Sequence, residues 1–542
     1  MSSRVNPLEL GEIVHITLKE LQDDLPTLSA CVQVNTLWAE EAVSLLWQNC
    51  GRYCSEDCSD CPPYPPVTSL AAMCDMPLRQ QWYAEKIRTL HFNREIHEKQ
   101  YEPVHASLSS LRFPRLNKLV LSHTDATEYT SLIQYLRPQL RSLSIIDADL
   151  PDATFFRTIA LRCPHLKELR LIRPRQPIPE DSLLPLLSAL HSLTSLTFTG
   201  NRSLEDDFEH PYTSCRRLSC PTRVFHHLAT NAPNLASLNI DSIPEKWCFL
   251  SALTSQQQHY FPALQNLTTR ATETAFAALS PHLSTLRNLT LYYQKQTQYP
   301  ASPLRLLAYC PHLRALKLGL LSPFHSSTTS TLPAADLMDL ADSCPALETL
   351  DIRGANNADA YLLIDGLEDA IVAYCATRWH GLRNLALHTS RAMLGNRSLE
   401  ELARNCPRLE TCDLAAEIAF PLSSTVGCAI TTSSSCASSL CPSLPMMENL
   451  RSLDLGSSNF HSSLGSSVPA IVDSLTSLAP RLDHFHLYAA DPYKPQCLSK
   501  INKNVNTAWQ SLQMERERQR QRKREMSIED NESLEVRDID VM

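Results

Sequence analysis

The sequence predicts an α/β fold of stacked repeats, in which parallel strands form an inner layer and helices an outer one. Three observations support this prediction. A phrase in which leucines stand at the first, fourth and sixth positions recurs along most of the 542-residue chain. A helical stretch precedes many copies of the phrase, often with a proline between the two. Three short amphipathic helices are predicted before the first copy.

The leucine phrase is spaced like a structural repeat. It reads CPHLKELRL at 163–171, CPHLRALKL at 310–318 and CPALETLDI at 344–352. The alternation at the end of each copy is typical of a strand with one buried face. Most spacings between copies lie near 20–29 residues, the range of leucine-rich repeats, and the longer ones leave room for inserted loops. The first leucines of the copies are residues 116, 140, 166, 193, 235, 264, 286, 313, 347, 382, 409, 450 and 482.

The helical stretches that precede the phrase have a common end. Cys163, Cys310, Cys344 and Cys406 stand at the ends of four of these stretches, and each is followed by proline. Proline lacks the N–H group that would continue a helix, so each repeat is predicted to run helix, stop, strand. One such unit cannot bury its apolar face, but a stack can. We therefore predict a curved solenoid over residues 86–490, with parallel strands inside and helices outside.

The first 48 residues predict three short helices. Asp24 and Asn35 are suited to cap the second and third of them. Three helices in about 40 residues bury little surface alone, so the group is marginally stable unless it packs on something else. This favours a docking module. The apolar residues of the first helix that share one face are Leu10, Ile13, Val14, Leu18 and Leu21.

Residues 5–48 resemble the F-box family. The opening Asn6-Pro7 departs from the Leu-Pro with which the family begins. The residues that carry the resemblance are Pro7-Leu8-Glu9-Leu10, Ile13, Leu25, the run Cys31-Val32-Gln33-Val34-Asn35, Trp38 and Leu45-Leu46-Trp47. The cysteine-ended helices further on resemble the cysteine-containing class of leucine-rich repeats, which is often joined to F-boxes.

These resemblances imply a non-catalytic substrate receptor of a Skp–cullin–F-box ubiquitin ligase. A Skp-type adaptor would link the chain to the cullin–RING ligase, and the repeats would bind a protein client. Trp38 would brace the third helix. The alternative is a leucine-rich-repeat scaffold outside ubiquitin ligases, with the three helices as an end cap. By the resemblance, the residues that contact the adaptor are Pro7, Leu8, Leu10, Ile13, Leu25, Leu28 and Val32.

The polar position between the last two leucines of each copy predicts a client surface. The residues at this position are basic in earlier copies and acidic in later ones, so a client groove would change sign along its length. The alternative is an ordinary solvated strand face. The predicted client-binding residues are Arg170, Lys317, Asp351, Asp413 and Asp454.

Composition excludes several other classes of protein. The net charge of −9 argues against a general nucleic-acid binder. No apolar run reaches the length of about 18 residues that would span a membrane. Neither a phosphate-binding glycine loop nor GxSxG nor HExxH is present, so we predict no enzyme activity and no cofactor. Without a signal peptide, the chain is expected in the cytoplasm or nucleus, with reduced thiols.

Two segments outside the repeats carry motifs of their own. Cys50, Cys54, Cys58 and Cys61 lie in a predicted Cys/Pro-rich linker, residues 49–85, and form either a zinc clip or a thiol-rich surface segment. Residues 491–542 are predicted to be a charged, disordered tail. Its basic run at 516–524 is compatible with a nuclear import signal or with a solvated helix.

Overall fold

The computed structural model describes most of the repeat array and the helices before it. The chain divides into two compact units, Met1–Arg270 and Ala271–Met542. The described residues are 11–22, 24–51, 65–93, 101–125, 128–149, 153–176, 179–200, 220–248, 260–294, 302–321, 331–354, 363–387, 394–414, 447–455, 472, 475–476, 478–487, 504–519 and 521–522.

The first unit begins with three helices and continues as alternating helices and strands. Its helices are α1 (Gly11–Glu20), α2 (Leu25–Cys31), α3 (Thr36–Trp47), α4 (Val67–Ala71), α5 (Pro77–Ala84), α6 (Tyr101–Leu108), α7 (Tyr129–Leu132), α8 (Ala153–Arg162), α9 (Glu180–Ala189) and α10 (Thr222–Asn231). Its strands are β1 (Asn49–Cys50), β2 (Thr89–Asn93), β3 (Lys118–Ser122), β4 (Ser142–Ile146), β5 (Glu168–Ile172), β6 (Ser195–Thr199), β7 (Ser237–Ser242) and β8 (Asn266–Thr272), which reaches the unit boundary.

The second unit repeats the same alternation. Its helices are α11 (Glu273–Leu279), α12 (Pro303–Leu306), α13 (Ala335–Ser343), α14 (Asp369–Ala376) and α15 (Asn396–Asn405), and residues 504–519 form a further helix. Its strands are β9 (Asn288–Gln294), β10 (Ala315–Leu321), β11 (Thr331–Pro333), β12 (Thr349–Gly354), β13 (Leu363–Asp365), β14 (Asn384–Leu387), β15 (Thr411–Leu414), β16 (Ser452–Leu455) and β17 (His484–Leu487).

Strand pairing in both units is parallel and follows the order of the chain. In the first unit the strands run from β1 to β8, each beside the next. In the second unit the order is β9, β10, β12, β14, β15, β16, β17, and β11 pairs separately with β13. Parallel neighbours need a crossover connection, which the repeat helices supply. This confirms the predicted α/β fold of stacked leucine-rich repeats.

The leucines used as repeat anchors form the core. All thirteen are at most 3% exposed, and each precedes one of the strands of the main parallel array. The leucines within the strands are buried in the same way, as the alternating pattern of β5 and β16 shows. A stack of identical positions buries each leucine between its counterparts in the neighbouring repeats, which is why one repeat alone would be unstable.

The cysteines at the helix ends connect neighbouring repeats. Helices α8, α13 and α15 end one residue before Cys163, Cys344 and Cys406 respectively, as the sequence predicts. The Cys344 thiol donates to the carbonyl of Cys310 at 3.3 Å, and the Cys406 thiol donates to the carbonyl of Trp379 at 3.5 Å. A small side chain with a weak donor suits this buried position because it fills little space and adds a second hydrogen bond to a carbonyl that already accepts a backbone N–H.

The repeat cysteines are expected to resist alkylation. Burial raises the pKa of Cys310, Cys344 and Cys406 to about 12, so these thiols stay protonated at pH 8. Because the thiolate is the reactive form, iodoacetamide should modify them about tenfold or more slowly than it modifies the exposed Cys74. Timed alkylation of the folded chain with peptide mass spectrometry measures this ratio. Equal rates at Cys344 and Cys74 would contradict it.

The predicted linker contributes to the first unit. Strand β1 and helices α4 and α5 lie within residues 49–85, and the Gln80 side-chain amide donates to the carbonyl of Leu70 at 2.9 Å. Cys50 is fully buried in β1, whereas Cys54, Cys58 and Cys61 lie outside the described residues. Within the described part of the chain, no group of three or more His, Cys, Asp or Glu side chains is placed to hold a metal ion.

Part of the predicted tail packs against the last repeat. In the helix formed by residues 504–519, Val505 and Trp509 are buried, and the Trp509 ring lies edge-on to Phe485 of β17 at 5.7 Å. The Gln513 amide donates to the carbonyl of Leu482 at 2.7 Å. The charged sequence therefore includes an amphipathic helix here, and the domain boundary at residue 490 stays a prediction. No helix in the described ranges is long and apolar enough to cross a bilayer.

Candidate protein-interaction surfaces

The first candidate surface is the bundle formed by α1, α2 and α3. Asp24 caps α2 by accepting from the backbone of Thr27 at 3.1 Å, and Asn35 caps α3 by accepting from the backbone of Trp38 at 2.9 Å. Both caps are the ones that the sequence predicts. The bundle closes its own core, which consists of Val14, Leu18, Leu25, Leu28, Cys31, Ala42 and Leu45.

The bundle core includes two of the residues predicted to contact an adaptor. Leu25 and Leu28 are buried because α2 turns its apolar face toward α1 and α3. A partner would reach them only if the bundle opened, and their role in adaptor binding stays a prediction. Val32 is partly buried against the same core, as is Trp38. Pro7, Leu8 and Leu10 lie outside the described residues.

The exposed side of the bundle carries aliphatic side chains. Ile13, Ile16 and Val34 are 38%, 62% and 59% exposed, and we call these three residues the aliphatic patch. Ile13 is thus exposed, whereas Val14 and Leu18, placed with it on one apolar face by the sequence, are buried. The sequence interpretation missed Ile16 and Val34. The sequence signal for Ile16 is its position one helical turn after Ile13 and away from the core positions.

The bundle is also joined to the first strands of the repeat array. Helix α3 ends at Trp47 and leads directly into β1, which pairs with β2. The Trp47 ring stacks on Tyr83 of α5 with centroids 4.4 Å apart, and Lys86 forms an ion pair with Glu40 of α3 at 3.3 Å. The bundle is therefore joined to the elements that begin the repeat array, and the aliphatic patch lies on its exposed side.

The second candidate surface is the polar face of the strands. In the first unit Arg170 is in register with Ser144 on one side and Thr197 on the other. In the second unit Lys317 is in register with Asp351. Asp413 is in register with Asp454, which pairs with His486. The five residues predicted to bind a client thus occupy equivalent strand positions in their repeats, and their role in binding stays a prediction.

Among known proteins, the chain resembles several solved structures. No family model matches the chain, and no curated protein matches it. Similar solved structures include the TLR13–ssRNA13 complex, with 18% identity, a TM-score of 0.36 and coverage of 75% of this chain and 58% of that one. The Rad7–Elc1 complex of yeast matches with 15% identity and a TM-score of 0.30, and the match covers 78% of this chain and 88% of that one. The Toll–Spatzle complex of Drosophila matches with 15% identity and a TM-score of 0.34, and the match covers 74% of this chain and 54% of that one. This chain therefore spans little more than half of the matched TLR13 and Toll–Spatzle chains.

Proposed function

We propose that this chain is the substrate-recognition subunit of a Skp–cullin–F-box ubiquitin ligase. The observation that carries the proposal is the aliphatic patch on a capped three-helix bundle that precedes a leucine-rich-repeat array. Ile13 and Ile16 lie one turn apart on the same helix, and their exposed surface gains free energy when another polypeptide covers it. The adaptor of the ligase is the partner that the F-box resemblance implies.

The proposed chain performs no chemistry of its own. Its bundle would hold the adaptor, and through it the cullin–RING ligase, while the polar strand faces of the repeats hold a protein client. Holding both partners on one chain raises the effective concentration of the client near the ligase's ubiquitin-carrying enzyme. A cytoplasmic or nuclear location, where such ligases act, is part of this proposal.

One observation favours a second function, a leucine-rich-repeat scaffold outside ubiquitin ligases. Strand β1 follows α3 directly and pairs with β2, and Trp47 stacks on Tyr83. These contacts are those expected of an end cap that protects the first strand of a repeat array. A cap needs no partner, so the two functions differ in what the aliphatic patch does.

Adaptor binding separates the two functions. We expect the double variant Ile13→Asp, Ile16→Asp to bind a purified Skp-type adaptor about tenfold or more weakly than the natural chain, because a buried charge without a partner opposes association. Isothermal titration of the full chain measures the dissociation constant. Both positions are on the solvent side of α1, so the variant should keep its fold, which circular dichroism checks.

The matched control is Leu161→Asp, a change at an aliphatic side chain of α8 that is 77% exposed. It should leave adaptor affinity within about twofold, since surface changes away from an interface have small effects. A natural chain that does not bind the adaptor, or a double variant that binds like the Leu161→Asp control, would refute the ligase proposal and leave the scaffold.

A further inference from the structure

One position of the repeat forms a continuous row on the surface of each unit. It is the residue directly after the first leucine of the phrase, and its N–H donates to the carbonyl of its counterpart in the preceding repeat. Arg141 donates to Asn117 at 2.7 Å and Lys167 to Arg141 at 2.8 Å in the first unit. Because leucines 140 and 143 on either side of Arg141 are buried, the side chain at this position faces solvent.

In the second unit this row alternates in charge from Arg314 onward. Arg314 forms an ion pair with Glu348 at 3.4 Å, and Arg383 forms one with Glu410 at 3.5 Å. Arg314 and Arg383 each lie beside an anion in the neighbouring repeat, which is the favourable arrangement for in-register strands. The member before β9, Arg287, is a second cation beside Arg314. From β10 to β17 the row reads Arg314, Glu348, Arg383, Glu410, Arg451 and Asp483.

In the first unit the same row contains cations and no acid. Its first four members, which we call the basic row, are Arg88, Asn117, Arg141 and Lys167. Arg141 donates to the carbonyl of His165 at 3.0 Å. Arg88 and Lys167 have no carboxylate partner among the residues that the structure describes.

The surroundings of the basic row are also basic. Lys118 of β3 lies one residue after Asn117, and Arg170 of β5 lies three residues after Lys167. The carboxylate on these strands, Glu168, accepts a hydrogen bond from the Ser142 hydroxyl at 2.6 Å. The described part of β2 to β5 thus has a surplus of positive charge next to this carboxylate.

A cleft of about 200 Å³ between the bundle and the first repeats extends the basic surface. Its walls include Arg88 from the basic row, together with Lys19 and Arg115. The acids on its wall are already engaged by neighbours, Glu40 by Lys86 at 3.3 Å and Glu41 by His15 at 2.9 Å. Three cations are therefore left facing the cleft at the end of the row.

We propose that the basic row and this cleft bind an acidic peptide segment of a partner protein. Arg141 and Lys167 are like charges in neighbouring repeats, and an acidic ligand that lies across them relieves their repulsion. Carboxylates are the matching groups for separate Arg and Lys side chains. Glu168, Glu40, Glu41 and the net charge of −9 disfavour the continuous phosphate backbone of a nucleic acid. The inference rests on the proposed client-binding role of the repeats and not on the adaptor.

Fluorescence anisotropy with the full chain tests this proposal. The probe is a labelled peptide of alternating Glu and Gly, titrated at low and at high salt. We expect binding that weakens with salt, and a loss of about tenfold or more in affinity for the triple variant Arg88→Ala, Arg141→Ala, Lys167→Ala. The matched control, Arg314→Ala, Arg383→Ala, Arg451→Ala, removes the same charge from the alternating row and should change affinity by about twofold or less.

Three results would overturn the proposal: no binding of the peptide by the natural chain, an equal loss in both triple variants, or tighter binding of single-stranded DNA of equal charge. The last result would assign the row to nucleic acid. The same variants should bind the Skp-type adaptor as the natural chain does, so failure of this inference and failure of the ligase proposal give different patterns.

Discussion

Replacing Trp509 with Ala should unfold the last repeats at a much lower denaturant concentration than in the natural chain. The indole is buried in the helix at 504–519 and lies edge-on to Phe485 of β17. Its removal exposes the apolar end of the stack and leaves a cavity, which costs about 3–5 kcal/mol for a buried tryptophan. A repeat at the end of an array has one neighbour only, so the loss is concentrated there. Amide hydrogen exchange in β16 and β17 measures it.

The same helix supplies the control for this prediction. Met514 is a large apolar residue five positions after Trp509, and more than half of its surface is exposed. Met514→Ala should change the free energy of unfolding by about 0.5 kcal/mol or less. If Trp509→Ala leaves exchange in β17 as slow as Met514→Ala does, the helix does not cap the second unit.

The first unit should lose stability as the pH falls from about 6.5 to about 4, because of a buried histidine. His105 of α6 packs on Phe92 with ring centroids 4.5 Å apart, and its Nδ1 lies 3.2 Å from the Tyr135 hydroxyl. Burial lowers the pKa of His105 to about 4. Between pH 6.5 and pH 4, His105 therefore binds a proton in the unfolded chain but stays neutral in the folded chain.

The direction and size of this effect follow from the two pKa values. A folded-state pKa below the unfolded value gives stability that is present above pH 6.5 and lost as the pH falls toward 4, where the loss reaches about 3 kcal/mol. Urea unfolding of the full chain at pH 7 and pH 4.5, followed by hydrogen exchange in β2 to β4, measures the change. The comparison should be made within one ionic strength, because salt alters surface charges as well.

Two variants test whether His105 is the cause. His105→Asn removes the titrating group and should make this pH dependence smaller, although the variant will be less stable at pH 7 because a buried ring is lost. His165→Asn changes an exposed histidine of the same unit and should keep the dependence of the natural chain. An unchanged slope in His105→Asn would assign the pH dependence to other groups.

The repeat architecture could be predicted because its determinants are local and recur. A leucine anchor, a strand with one buried face and a cysteine–proline helix end can each be read from fewer than ten residues, and repetition makes the pattern specific. The same applies to the caps at Asp24 and Asn35, which need only an acceptor and the N–H two or three residues later. The sequence did not predict the packing of the helix at 504–519, because this helix has many charged residues and buries only Val505 and Trp509.

The exposed apolar side chains of the bundle could not be predicted, because packing between elements decides which apolar residues stay outside. Ile13 and Leu28 look equally apolar in the sequence, yet α2 packs Leu28 into the bundle core, whereas α1 leaves Ile13 and Ile16 in solvent. The basic row likewise has no signal along the chain, since Arg88, Arg141 and Lys167 are separated by 53 and 26 residues. The sequence alone determined the repeats, since each depends on near neighbours. The surfaces were decided by the stacking register, since it brings distant residues to adjacent strands.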